Sequence, residues 1–116
     1  MDFENLEVVR LVPLEDVYTK QQRVRLPPKF MRQFPDHYEA EFNFPRVSLI
    51  SLQIVDPQTP ARAKRYGVAR QNGSYAVSIP RPWLHDVSAR DGDQVELCRS
   101  DETPDTLYLR FKRKQR

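Results

Sequence analysis

The apolar and polar positions of this chain repeat with an offset of 53 residues. Across residues 24–44 and again across 77–97 the apolar positions pair throughout: Val24 with Val77, Leu26 with Ile79, Phe30 with Trp83, Met31 with Leu84, Phe34 with Val87, Phe42 with Val95 and Phe44 with Leu97. Identity is confined to Val24/Val77 and Pro27/Pro80. Each copy predicts a short alternating strand, a proline, one or two helical turns and a second alternating strand. In Arg23-Val24-Arg25-Leu26 the period of two turns Val24 and Leu26 towards a core and displays Arg23 and Arg25 together on the other face. Phe30, Met31 and Phe34 mark one stripe of a helix starting after Pro27, where proline costs no intrahelical hydrogen bond. A hairpin-sized unit cannot bury its apolar face alone, so two copies imply one shared core.

The same reading extends to the rest of the chain. Asn72-Gly73 predicts a tight hairpin turn between strands at 66–70 and 74–79, because both residues tolerate positive φ. Tyr75, Val77 and Ile79 then face one way. A helix over 82–87 is expected to bury Trp83, Leu84 and Val87, and Phe30, Phe34 and Phe42 are assigned to the core with them. Residues 47–55, 94–99 and 106–112 read as further strands. The layout is an N-terminal arm at 1–16 with an edge strand in it, a first repeat at 17–56, a linker at 57–65, and a second repeat with a basic tail at 66–116. Both repeats build one domain.

Composition narrows the chemistry. At 116 residues the chain fits a single domain. Its one cysteine, Cys98, excludes an internal disulfide framework and a multi-cysteine metal site, and its place in an alternating strand reads as a small buried residue. No run reaches ~18 consecutive apolar residues, and the acidic start MDFENLE lacks the basic and apolar regions of a secretory signal. A reducing, cytoplasmic setting is expected. His37 and His85 have no ligand-like spacing, and Asp91 and Asp93 flank Gly92 as a structural turn would. No nucleophile motif or glycine-rich phosphate loop occurs, so no enzymatic activity, metal or cofactor is expected.

Charge is unevenly spread. Residues 1–19 hold five acids against Arg10, while the remainder holds 18 basic and 11 acidic side chains. Arg62, Lys64, Arg65, Arg70 and Arg81 occupy an acid-free stretch between Pro57 and His85, and the tail from Lys112 to Arg116 adds four more positive charges. Such a bias suits a polyanion, most simply a nucleic acid.

The run Arg70-Gln71-Asn72-Gly73-Ser74-Tyr75-Ala76-Val77-Ser78-Ile79-Pro80, followed by Gly92-Asp93-Gln94-Val95-Glu96-Leu97, resembles the AbrB/MazE/SpoVT swapped-hairpin family. Lys20-Gln21-Gln22-Arg23-Val24-Arg25-Leu26-Pro27 is similar to the version found in AbrB and MraZ proteins, with Gln22 in place of the glycine. The resemblance implies a mostly β, cradle-loop type barrel formed by two strand-strand-helix-strand-strand repeats in one chain, as in the MraZ arrangement. It implies binding of double-stranded DNA by the first hairpin and the outward strand before the proline. Matched position by position, this marks Lys20, Arg23 and Arg25 in repeat one and Arg70, Asn72 and Ser74 in repeat two, with Arg81 beside them. Ser78 stands where MazE-like members carry arginine.

The expected function is therefore that of a sequence-specific regulator of transcription. A two-stranded ribbon fits the major groove, where lysine and arginine hold phosphates while arginine and asparagine reach base edges. Two other readings stay open. One is an antitoxin, with a toxin or other protein held through the N-terminal arm. The other is a double-psi-like barrel serving as a protein-interaction adaptor. A homodimer is a further partner that the family implies.

Overall fold

Residues 3–36 and 39–114 are described by a computed structural model. Asp2, His37 and the last two residues of the basic tail lie outside them. After a 3-10 turn at Phe3–Asn5, β1 runs over Glu7–Pro13 and β2 over Arg23–Leu26. In β2 Val24 and Leu26 are buried and both arginines exposed, as strict alternation requires. Pro27, at φ −60° and ψ 129°, then turns the extended chain into α1 (Pro28–Met31). The second repeat copies this device. Pro80, at φ −62° and ψ 139°, follows the strand β7 (Ser74–Ser78) and opens α2 (Arg81–Asp86). Each proline presets φ where no backbone donor is needed.

The remaining strands are β3 (Glu39–Arg46), β4 (Leu49–Val55), β5 (Arg65–Gly67), β6 (Ala69–Gln71), β8 (Gln94–Arg99) and β9 (Thr106–Lys112). Several boundaries depart from expectation. Arg46 pairs with Leu49, so Val47 and Ser48 form the turn and Val47 lies 88% exposed rather than in a strand. The expected strand at 66–70 is broken at buried Val68, where the chain passes from one sheet to the other. Arg65, assigned to the linker, already belongs to β5.

Among the described residues the strands form two antiparallel sheets. One has the order β1-β8-β9-β4-β3-β5 and the other β2-β7-β6. In the smaller sheet Val24 pairs with Val77, the residue that matches it in the other repeat, flanked by Arg23–Ser78 and Arg25–Ala76. An approximate two-fold axis therefore passes through the Val24–Val77 pair. The larger sheet obeys the same symmetry. β4 and β9 meet at its centre, and β1 borders the second repeat's hairpin while β5 borders the first repeat's. The protein is mostly β with two short helices, but among the described residues no closed barrel forms, because the two sheets are not joined edge to edge.

One core cluster draws on both repeats: Val24, Leu26, Met31, Phe42 and Leu52 from the first, with Val77, Ile79, Leu84, Val95, Leu97 and Leu109 from the second. Burial of this kind supplies about 1.5–3 kcal/mol per large apolar side chain. A second, smaller cluster of Leu6, Leu49, Cys98 and Tyr108 lies on the other face of the large sheet under Phe3. The aromatic assignments divide. Phe42 is buried, whereas Trp83, Phe30 and Phe34 are half-buried and pack at the margin. Trp83 stacks on Phe44 at 5.8 Å, and Phe30 meets Phe34 edge-on at 5.4 Å. Helices of four and six residues are too short to bury more than one stripe.

Candidate nucleic-acid interface

The smaller sheet turns Val24, Leu26 and Val77 inwards, and alternation displays the intervening residues. Register then places them in rows. Arg23 lies opposite Ser78, Arg25 opposite Ala76 with Ala69 beyond, and Ser74 opposite Gln71. The outward face is thus a bed of small side chains with two exposed arginines along β2. Arg25 Nη2 donates to Ser74 Oγ at 3.4 Å, which steers its guanidinium across β7. Arg10, from β1, donates through Nη1 to the Arg25 carbonyl at 3.2 Å and brings a third guanidinium to the outer edge of β2.

The turn from β6 to β7 is built by Asn72 and Gly73, at φ 50° and 79°. Both φ values are positive, which matches the primed turn that a two-residue hairpin needs. Asn72 and Ser74 are exposed at its tip. Lys20 and Arg81 meet elsewhere, at a cavity of about 250 Å³ that Ser78 also lines. Lys20 is largely exposed and ion-paired with Asp16 at 3.2 Å. Exposed pairs of this kind contribute ~0–1 kcal/mol, so the ammonium is readily redirected to a phosphate.

Arg70 does not join this face. It pairs with Tyr75, whose ring points towards the core, so β6 sends Ala69 and Gln71 outwards and Arg70 the other way. Its guanidinium lies 5.2 Å from the centre of the Tyr75 ring and donates to the carbonyls of Phe34 and, at 3.0 Å, Pro35. Arg70 thereby clamps the chain leaving α1. Sequence reasoning did not single out Arg10 or Gln71. Counting back from the Asn72-Gly73 turn finds Gln71, whereas nothing local reveals that Arg10 reaches β2.

The acidic turn serves the backbone. Asp91 Oδ1 accepts from the Val17 N–H at 2.9 Å, and buried Asp93 accepts from the N–H groups of Arg90 and Lys114, each at 2.9 Å. Among the described residues no group of three or more His, Cys, Asp or Glu side chains could hold a metal ion. No helix among them is long and apolar enough to cross a membrane. Comparison of the chain with protein-family models, curated proteins and solved structures finds no match, so the functional reading rests on this face and its chemistry.

Proposed function

We propose that this chain is a sequence-specific double-stranded DNA-binding protein, acting as a regulator of transcription through the outward face of β2, β7 and β6. In this reading its architecture is a swapped-hairpin fold of the AbrB kind with both halves in one polypeptide. The pairing of Val24 with Val77 and the exchange of β1 and β5 between the halves support it.

The observation that carries the proposal is the pair Arg23 and Arg25, displayed beside the small side chains of Ala69, Ala76, Ser74 and Ser78. Small side chains let a sheet approach the major groove closely, and two neighbouring guanidinium forks suit guanine edges or phosphates. Lys20 and Arg81 supply further positive charge for the backbone. Genomic fragments captured by the protein at moderate salt, then sequenced and titrated at several salt concentrations, test the proposal. The expected result is enrichment of one sequence class and an affinity that falls steeply with salt, since bound counterions are released. Flat salt dependence with no enriched class would refute it.

A further inference from the structure

A second basic surface lies outside the smaller sheet. The β3–β4 turn, the end of β9 and the N-terminal 3-10 turn enclose an open groove of about 690 Å³, within the range of ligand-binding clefts. Leu49 is buried at its base, while Phe3 and Phe111 are half-buried along it. Val47, at the tip of the turn, is the most exposed large apolar side chain among the described residues. Arg46, Arg110, Lys112 and Arg113 supply the charge. Among the described residues Glu96 pairs with two of these cations: it accepts Arg110 Nε at 2.8 Å and lies 3.5 Å from Lys112 Nζ. Arg46 and Arg113 make no ion pair among the described residues.

An apolar strip in a lining that holds four cations and no carboxylate among the described residues calls for a ligand that is acidic and apolar at once. The Phe3 ring meets Tyr108 edge-on at 5.6 Å, and the Phe3 carbonyl accepts from Arg110 Nη1 at 3.3 Å.

We propose that this groove binds an acidic peptide segment of a partner protein. An aromatic or aliphatic side chain of the segment rests on Val47 and Phe3, and its carboxylates pair with Arg46, Lys112 and Arg113. Charge complementarity selects this occupant. A second copy would oppose its own cationic groove to this one, and a phosphodiester backbone would leave the apolar strip uncovered. The groove uses none of the residues of the proposed DNA face, so the two surfaces stand or fall separately.

Fluorescence anisotropy with the full chain tests the proposal. The probes are a labelled decapeptide of Asp and Glu with a central Phe-Leu pair, the same peptide with Ser-Ser at its centre, and a mixed-sequence DNA duplex. The Phe-Leu peptide should bind about tenfold or more tightly than the Ser-Ser peptide, and Arg46→Glu with Arg113→Glu should weaken it at least as much. Val47→Asp should weaken it too without lowering the melting temperature, because the side chain is exposed. Lys29→Glu with Arg32→Glu, an equal change of net charge on and just after α1, should leave peptide binding unchanged. Equal affinity for both peptides, no binding of either, or equal weakening by the two charge-reversal pairs would overturn the proposal. So would displacement of the peptide by the duplex together with loss of duplex binding in Arg46→Glu/Arg113→Glu.

Discussion

Arg23, Arg25 and Arg70 carry the same side chain into opposite circumstances, and single substitutions separate them. Arg23 and Arg25 are exposed on β2, so replacing both by Ala should leave the melting temperature nearly unchanged. DNA affinity should then fall by about 1–3 kcal/mol for each base edge that an arginine no longer reaches, measured by anisotropy at fixed salt. Arg70 holds two carbonyls after α1, so Arg70→Ala should cost about 1.5–3 kcal/mol of stability in denaturant titration, as charged hydrogen bonds do. At Cys98 burial is the leading influence. Desolvation pushes its thiol up from the ordinary value, against the opposing pull of Arg110. The folded thiol therefore keeps its proton where the unfolded chain releases it. Stability should hold below about pH 8.5, the ordinary cysteine value, and decline above it, less steeply in Cys98→Ala. Unfolding measured at pH 7, 8.5 and 10 in both proteins checks that sign.

Short elements here depend on their ends. Neither helix could persist alone at four and six residues, since nucleating a turn costs more than so few bonds return. Pro27 and Pro80 set their starts, and packing of Met31 and Leu84 holds them. The Asn72-Gly73 turn does comparable work for β6 and β7, whose register decides that Gln71 and Ala69 face outwards. Gly73 has φ +79° with open space where a Cβ would stand, so the strain of Gly73→Ala is conformational rather than steric. It should cost about 1–2 kcal/mol. Gly67, without positive φ and equally open, should accept alanine within about 0.5 kcal/mol. Thermal melts of the two variants give the comparison.

At the scale of the molecule the two halves share one core and exchange strands, so neither can bury its apolar face without the other. Unfolding should be a single transition by fluorescence and circular dichroism alike, and a chain of residues 57–116 alone should not fold. Leu109, fully buried in β9 and paired with Ile50 across the approximate two-fold, should lose about 2–5 kcal/mol on replacement by Ala. The symmetry is broken at the surface, where Arg23 and Arg25 answer to Ala76 and Ser78. Binding sites selected from random duplexes should therefore be asymmetric, with the better-specified half under the arginines. Recovery of a perfect inverted repeat would mean that two chains pair on the DNA.

Local pattern determined a great deal in this protein. Alternation in Arg23-Val24-Arg25-Leu26 sufficed for the inward and outward faces of β2, because side chains in a strand can point only two ways. Pro27 and Pro80 marked both helix starts, because proline restricts φ whatever surrounds it. Asn72-Gly73 marked the hairpin turn for the same kind of reason. Other features depend on partners far along the chain. Arg70 turns inwards because it pairs with Tyr75, and a three-residue strand has too little pattern of its own to show this. Val47 looked like the first residue of an apolar strand until the pairing of Arg46 with Leu49 placed it in a turn. Trp83 is as apolar as a core residue but sits at the margin, where α2 ends the packing against Phe44. Arg10 reaches β2, and β1 borders β8, only because the halves exchange strands. Composition and period act through near neighbours along the chain, whereas register, strand exchange and the surfaces they create are properties of contacts that only the folded chain makes.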